Sequence, residues 1–360
     1  MEVSLDDLER IRAVDRSGML ETQMSMPEAW VEALRLAERF LERGEVRNLL
    51  EEPPSSLVIA GMGGSAIGGE ILRDWLLDSS PIPIYVSRGY RLPAFTGERS
   101  LVFAVSYSGN TEETLSSFQD ALSRGCRIIA VTSGGRLRKL SLQYGVPCLT
   151  VPEGMAPRAA LPYLLLPLVL TCGRFKVVPH LGRELDGALK VLRELREMVA
   201  PENPLRDNPA KLLALDLLHT IPVIYAPREY AAVALRMKTQ FNENSKVPSY
   251  AAVLPEIFHN EVMGYEAPRE LSSSLSVILL RDEREDPKVR AKVEAMKGLL
   301  KEKIRVLREV WSRGEEKLAK IFSMLFLGDV ASTYLAVLYG VDPTPVESIS
   351  RIKEVSTTYL

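Results

Sequence analysis

Two short turns rich in glycine and hydroxyl residues are the features of this sequence best suited to chemistry. GMGGSAIGGE (61–70) follows the apolar run 57–60, and SYSGNTEET (106–114) follows the apolar run 101–105. Glycine lets the backbone turn tightly around a ligand, and the unpaired N–H groups at a helix start attract anions. The turns therefore predict a phosphate site that needs no lysine. Its members would be Gly63, Gly64, Ser65, Ser106, Ser108 and Thr111.

The charge balance of the chain also favours a local anion site. Its 360 residues include 45 Lys plus Arg and 47 Asp plus Glu, which gives a formal net charge of −2. Such a chain has no global positive field that would hold nucleic acid or an anionic membrane. We therefore expect a small-molecule partner, with neither nucleic acid nor membrane bound. We also expect a cytoplasmic protein, because the acidic N-terminus is not a signal peptide.

The first turn allows two other interpretations. Ser65 could simply cap the helix that follows, as serine does at many helix starts. Gly61, Gly63 and Ala66 also fit the relaxed G-x-G-x-x-G/A fingerprint of dinucleotide-binding proteins. The second predicted strand then ends beside Arg88 rather than at an acidic residue, which would suit only the 2′-phosphate of NADP. The second turn favours phosphate binding, because a plain cap needs one hydroxyl group rather than three.

The elements around these turns alternate between strands and helices. In the first half, short apolar runs predict strands over 57–60, 82–86, 101–105, 127–131 and 146–151. Asn110 and Glu113 have the spacing of a helix-capping pair. After the charged, leucine-rich stretch 182–218 the alternation restarts at 221–225. Such alternation predicts an α/β fold with parallel sheets covered on both faces, in two units that join near residue 180.

The two turns and two later segments together resemble a known enzyme family. The later segments are FNENSKVPSY (241–250) and PEIFHNEVMGYE (255–266). A GGS turn after the first strand and S-x-S-G-N-T after the third are similar to the sugar isomerase (SIS) domain, a phosphosugar-binding α/β module. The full set resembles the bifunctional phosphoglucose/phosphomannose isomerases. The resemblance implies two SIS-type doubly wound domains over 1–180 and 181–360, each a mostly parallel sheet flanked by helices.

Aldose–ketose isomerisation moves a proton between adjacent carbons through an enediol, which requires a base that takes and returns that proton. Glu243 stands where a predicted helix gives way to the loop at Pro248, and its asparagine neighbours could fix a carboxylate there. A single glutamate is by default a surface residue. The resemblance implies that Glu243 is the base, and that glucose 6-phosphate and mannose 6-phosphate are interconverted with fructose 6-phosphate.

The resemblance also assigns the remaining chemistry. It implies that His259 passes protons to the ring oxygen when the cyclic sugar opens, and that Lys353 assists this step. It implies that Arg158 stabilises the negative charge of the enediolate. Family members are dimers, so a homodimer is expected, in which His259 could be contributed across the interface. A threonine near the C-terminal lysine is associated with dual specificity, and Thr344 is close to that place.

No cofactor and no metal are expected, and two other functions compete with the isomerase. The three cysteines and three histidines show no CxxC, HExxH or HxH spacing. A non-catalytic phosphosugar sensor would carry a basic DNA-binding segment, whereas residues 1–50 hold more acidic than basic side chains. An NADP-dependent oxidoreductase would depend on the relaxed glycine fingerprint and on Arg88.

Overall fold

Two parallel sheets organise the part of the chain that this computed structural model describes, which is residues 5–266 and 268–357. Numbered in chain order, the strands are β1 (Ser56–Ala60), β2 (Ile84–Ser87), β3 (Ser100–Val105), β4 (Arg127–Thr132), β5 (Cys148–Thr150), β6 (Ile221–Pro227), β7 (Tyr250–Leu254), β8 (Leu275–Arg281) and β9 (Val306–Trp311). The first sheet has the order β2-β1-β3-β4-β5 and the second the order β7-β6-β8-β9. All paired neighbours run parallel. The predicted α/β class is confirmed.

Helices connect and flank these strands, because parallel neighbours need a long crossover between them. They are α1 (Leu8–Val14), α2 (Met19–Met24), α3 (Met26–Leu41), α4 (Gly44–Leu49), α5 (Ile67–Trp75), α6 (Glu112–Ser123), α7 (Gly135–Gln143), α8 (Leu161–Arg174), α9 (Leu181–Val199), α10 (Pro209–Leu217), α11 (Ala231–Glu243), α12 (Arg269–Ser272), α13 (Pro287–Leu300), α14 (Lys317–Tyr339) and α15 (Glu347–Thr357). Several begin at a capping side chain: Asp7, Asn208 and Asp286 each accept N–H bonds from the first turn that follows.

The chain divides into two compact units that are not continuous in sequence. Unit 1 comprises Met1–Met24, Arg193–Arg313 and Ser323–Leu360, and unit 2 comprises Ser25–Leu192 and Gly314–Phe322. Unit 2 contains the first sheet and unit 1 contains the second. The chain passes from one unit to the other four times: between α2 and α3, within α9, between β9 and α14, and within α14. The boundary near residue 180 stays a prediction.

β1 and β3 form the buried centre of the first sheet. Every residue of both strands is buried, as expected for parallel strands covered on both faces. β2 lies on one side of β1 and β3 on the other, so the winding direction reverses between β1 and β3. At such a switch point a crevice forms outside the carboxyl ends of the strands. The two glycine- and hydroxyl-rich turns follow these two strand ends, the first after Ala60 and the second after Val105.

The second sheet winds in the same way around β6, which pairs with β7 on one side and β8 on the other. α11 returns the chain from the carboxyl end of β6 to the amino end of β7, because a crossover helix runs antiparallel to the strands that it joins. Glu243, the last residue of α11, therefore lies toward the amino edge of this sheet. The 3₁₀ turn Glu256–His259 follows β7 and lies at the carboxyl edge.

α14 is the one helix in residues 5–266 and 268–357 that is long and apolar enough to span a membrane by length and composition. However, 94% of its most apolar window is buried within the protein. Near its start Phe322 is fully buried and packs edge-on against Trp30 of α3, with ring centroids 4.8 Å apart. This burial is the pattern of a core helix.

Candidate active site

The turn after β1 is shaped by its glycines. It contains the 3₁₀ turn Gly63–Ser65, and α5 begins just after it at Ile67. Gly63 has a φ of +50°, a left-handed conformation that favours glycine. A Cβ atom on Gly64 would lie 2.8 Å from the backbone nitrogen of Arg158. Glycine is therefore required at Gly64 because the segment that carries Arg158 packs against this turn.

Ser65 joins the first turn to the second. The N-cap residue of α5 is Ala66, so the interpretation of Ser65 as a plain helix cap is wrong. The buried hydroxyl oxygen of Ser65 instead accepts a hydrogen bond from the backbone N–H of Tyr107 at 3.0 Å, across 42 residues of sequence. That bond uses the Ser65 oxygen as acceptor, so its O–H group can still donate to an anion. The two turns meet at the switch point.

The second turn collects its hydroxyl groups at the start of α6. Ser106 is buried and its Oγ donates to Thr111 Oγ1 at 2.9 Å. Ser108 is exposed, and its Oγ accepts a bond from the Asn110 N–H at 3.3 Å. Thr111 is the N-cap residue of α6, but its side chain makes no capping bond. Hydroxyl groups beside a helix start that no side chain caps are suited to phosphate.

Gly109 lets the second turn pack against the turn that follows β4. Its φ is +68°, and a Cβ atom there would lie 1.9 Å from the carbonyl oxygen of Gly134. The Asn110 side-chain oxygen accepts a bond from the Arg136 N–H at 3.1 Å, at the start of α7. The predicted capping pair of Asn110 with Glu113 is therefore wrong, because Asn110 binds the neighbouring helix start instead.

Tyr107 is a residue of this site that the sequence analysis missed. Its side chain is buried, and its hydroxyl donates to the Pro152 carbonyl at 2.9 Å and accepts from the Met155 N–H at 2.9 Å. This burial raises the pKa of Tyr107. The loop that it holds leads into the 3₁₀ turn Pro157–Ala159, in which Arg158 is buried. An aromatic residue inside a hydroxyl-rich motif was the available signal.

Arg88, the candidate 2′-phosphate ligand of the NADP interpretation, has a carboxylate partner in the structure. Its Nε donates to Glu70 Oε1 of α5 at 3.2 Å. Glu70 also pairs with Arg73 at 2.5 Å. The carboxylate of Glu70 offsets the positive charge of the exposed Arg88 side chain, which weakens the NADP interpretation.

The turn that carries Glu243 is fixed by its neighbours in the NENS sequence. Asn242 Nδ2 donates to the Val247 carbonyl at 2.9 Å. Asn244 Nδ2 donates to Ser332 Oγ of α14 at 2.9 Å, and Ser245 Oγ donates to the Ser332 carbonyl at 2.6 Å. Asn244, Ser245 and Ser332 are buried. The asparagines on either side of Glu243 thus hold the backbone of the turn in one conformation.

Glu243 lines a cavity of about 770 Å³ within unit 1. Its side chain is half-buried. Arg16, Lys246 and Asp342 line the same cavity, together with the first turn of α15. Lys353 lies one further turn along α15 and is exposed. The structure therefore places Glu243 beside the segment that leads into the predicted Lys353.

His259 is exposed and lies away from Glu243 on the fold of unit 1. The two residues are at opposite edges of the second sheet, separated by the length of β7. Five residues of extended strand span about 16 Å. One copy of unit 1 thus does not bring its own Glu243 and His259 together.

The carboxyl edge of the second sheet is filled by buried ionic groups. Arg281 ends β8, and it is 1% exposed with two hydrogen bonds to Glu285, at 2.6 and 3.0 Å. Asp282, the next residue, is also buried and accepts a hydrogen bond from the Tyr230 hydroxyl, which follows β6. The bond between Tyr230 and Asp282 bridges the switch point of the second sheet, between the ends of β6 and β8.

The described residues offer no grouped metal ligands. Within 5–266 and 268–357, no three His, Cys, Asp or Glu side chains come together as a metal site would need. The three cysteines are free thiols. Burial raises the pKa of Cys126 and Cys148, and raises that of Cys172 to about 12.

Comparison with known proteins agrees with this geometry. Residues 206–355 match the family model described as the bacterial phospho-glucose isomerase C-terminal SIS domain. A Caldicellulosiruptor bescii protein named bifunctional phosphoglucose/phosphomannose isomerase is 38% identical over 93% of this chain and 98% of its own length. An Aquifex aeolicus protein of the same name is 36% identical over 90% of this chain and 98% of its own.

A solved structure supports the fold separately. It is a glucose-6-phosphate isomerase like protein from Thermus thermophilus, which superposes with a TM-score of 0.65 over 95% of this chain and 98% of that chain, at 23% identity. The doubly wound SIS architecture implied by the sequence is thus confirmed. On the identity and coverage of its relatives, the chain belongs to the bifunctional phosphoglucose/phosphomannose isomerase family.

Proposed function

We propose that this isomerase interconverts glucose 6-phosphate and mannose 6-phosphate with fructose 6-phosphate in the cytoplasm. The observation that carries this assignment is the junction of the two turns at the first switch point, made by the bond from the Tyr107 N–H to Ser65. That junction supports a phosphate site built from hydroxyl groups, backbone amides and a helix start. The family membership supports the reaction.

The phosphate would be held by the amides of Gly63 and Gly64 and by the hydroxyl groups of the two turns. The hydroxyl groups belong to Ser65, Ser106, Ser108 and Thr111. A phosphate bound this way orients the sugar without a lysine, which suits a chain of formal net charge −2. Because these hydroxyl and amide donors are small, they leave room for the carbon chain of the sugar beside the phosphate.

The proton transfer is assigned to Glu243. Its carboxylate removes the proton from C2 of the open aldose; the electron pair of that bond forms the C1–C2 double bond, and the carbonyl oxygen gains the negative charge. Arg158 stabilises that charge electrostatically. The hydroxyl proton then passes from O2 to O1, and as the C2 carbonyl forms, the electron pair of the C1–C2 double bond takes the proton back from Glu243 at C1, which gives the ketose. His259 and Lys353 are assigned to the earlier opening of the ring.

We infer a homodimer in which His259 of the partner subunit acts with Glu243. The support is the separation of Glu243 and His259 at opposite edges of the second sheet in a single chain. The exposure of His259 is compatible with this role. Light scattering of the purified protein measures the mass, and mixing Glu243→Gln with His259→Asn subunits tests the sharing, because mixed dimers would regain one intact site.

The function is tested by supplying fructose 6-phosphate to the purified protein and following glucose 6-phosphate with a coupled dehydrogenase. A second assay follows fructose 6-phosphate formed from mannose 6-phosphate. Activity with mannose 6-phosphate below about a thousandth of that with glucose 6-phosphate, a difference of roughly 4 kcal/mol, would mark a glucose-only enzyme. Sugar phosphate binding without turnover would indicate the sensor, and binding of NADP would indicate the oxidoreductase.

A further inference from the structure

Lys246 follows the NENS turn in an unusual backbone conformation. Its φ is +59°, in the left-handed region that residues with a Cβ atom seldom adopt. Such a conformation persists where the surrounding contacts determine it, and it is often found at functional sites. We therefore expect specific contacts of Lys246 to stabilise this conformation.

The ammonium group of Lys246 connects two separate segments of unit 1. Nζ donates to the backbone carbonyl of Glu243, to that of Pro343 at 3.0 Å and to that of Pro345 at 2.7 Å. Glu243 is the last residue of α11, where helix carbonyls lack intrahelical partners and attract a cation. The three donors of one ammonium group thus fasten the end of α11 to the chain around Thr344.

A second residue, Asp342, holds the start of the same chain segment through its carboxylate. Its carboxylate accepts from the Ser17 hydroxyl at 3.2 Å and from the Thr344 N–H at 3.1 Å. It also pairs with Arg16 at 3.7 Å. The segment 342–346, which leads directly into α15, is therefore held from two sides, by Lys246 and by Asp342.

We propose that Lys246 is a positioning residue that sets Glu243 and the segment around Thr344 relative to each other. This inference rests on the proposed function, in which Glu243 is the base. Proton transfer depends steeply on the placement of the base, and an error of about 1 Å can cost up to about a hundredfold in rate. The same contacts fix Pro345, which lines the cavity of Glu243, so Lys246 also influences the shape of that cavity and with it the relative rates on the two aldose phosphates.

The test compares Lys246→Met, which keeps an unbranched side chain but removes the ammonium group, with Lys246→Arg, which keeps donors for carbonyl groups. Lys301→Met is the matched control, because Lys301 is an exposed lysine of the same unit at the end of α13. Calorimetry with the inhibitor 5-phosphoarabinonate, a sugar phosphate analogue, gives the number of competent sites, so that turnover is expressed per folded site. Rates are measured with glucose 6-phosphate and with mannose 6-phosphate.

We expect Lys246→Met to lower turnover per competent site by about tenfold or more, with KM changed by less than about threefold. The ratio of the two aldose rates should shift, and Lys246→Arg should recover most of the loss. A merely structural lysine would reduce the number of competent sites and leave both the turnover per site and the ratio unchanged. Turnover per site within about twofold of the wild type would overturn the assignment.

Asp342→Asn gives a second measurement should Lys246→Met fail to fold. It removes the charge that pairs with Arg16 and so loosens the same segment from its other side. We expect a fall of about threefold in turnover per site, again with a shifted ratio, and an unchanged value would overturn the role of the segment. Absence of isomerase activity in the wild type would instead refute the proposed function itself.

Discussion

The carboxyl edges of the two parallel sheets have the same winding but different contents. At the first, glycines and hydroxyl groups surround the switch point between β1 and β3, joined by the bond between Tyr107 and Ser65. At the second, the buried ion pair of Arg281 with Glu285 and the bond from Tyr230 to Asp282 fill the corresponding place. Strand order creates a crevice, and the residues at the strand ends decide whether it receives a ligand.

The second sheet carries the proposed base, Glu243, at its amino edge rather than at its carboxyl edge. The turn after α11 places Glu243 toward the amino ends of the strands, where the bonds from Asn244 and Ser245 to Ser332 hold it. The proposed phosphate-binding residues thus belong to the first sheet's carboxyl edge, and the proposed base belongs to the second sheet's amino edge. Variants at each edge should separate binding from turnover.

The largest effect is expected for Glu243→Gln. The amide keeps the shape of the side chain but cannot accept the proton, so kcat should fall at least about a hundredfold. Binding of 5-phosphoarabinonate, measured by calorimetry, should be largely retained. The control is Glu302→Gln, an exposed glutamate of the same unit. More than about a tenth of the wild-type kcat remaining would remove Glu243 from the role of base.

The next effect concerns the first carboxyl edge. Ser108→Ala and Thr111→Ala each remove a hydroxyl group proposed to bind phosphate, which typically costs about 1.5–3 kcal/mol. KM for the phosphorylated sugar should rise accordingly, while kcat changes less. Thr150→Ala, at the exposed end of β5, serves as the control. Inhibitor affinity equal to the wild type in both variants would place the phosphate elsewhere.

A smaller effect is expected for Tyr107→Phe. The variant keeps the ring and the backbone bond to Ser65 but loses the hydroxyl contacts with Pro152 and Met155. Each such bond contributes about 0.5–1.5 kcal/mol, so kcat/KM should fall about 2–10-fold as the Arg158 segment loosens. Tyr144→Phe, an exposed tyrosine of the same unit, should behave as the wild type. Equal kinetic constants for the two variants would show that the loop leading to Arg158 does not need the hydroxyl bonds of Tyr107.

The smallest effect on activity is expected for Tyr230→Phe at the second carboxyl edge. Loss of a buried bond to a carboxylate should lower the free energy of unfolding by about 1.5–3 kcal/mol. KM should not change, since Tyr230 and Asp282 are assigned no contact with the substrate. Denaturant unfolding and the kinetic assay are run in parallel, with the exposed Tyr250→Phe as the control. A raised KM would mean that both edges take part in binding.

Much of the fold was predictable because apolar runs and turns are local signals. The buried runs before the two glycine-rich turns became β1 and β3, and the positions of the turns at the strand ends followed from the alternation of elements. Contacts between distant residues were not predictable in the same way. The alternative interpretation of Ser65 as a helix cap was wrong, because Ala66 is the N-cap residue and the Ser65 oxygen accepts from a backbone N–H 42 residues away. Tyr107 and Lys246 were missed as contact residues for the same reason.

The division of unit 1 between the two ends of the chain has a consequence for synthesis. Gln23 of α2 donates to the carbonyl of Asp329, 306 residues later, and accepts from the Thr333 hydroxyl. At about 5–20 residues per second a ribosome needs roughly 15–60 s to make that stretch. The N-terminal helices emerge first but wait throughout that interval for their partners in α14. Unit 1 therefore completes its fold only after α14 has been synthesised, and its first two helices lack these contacts until then.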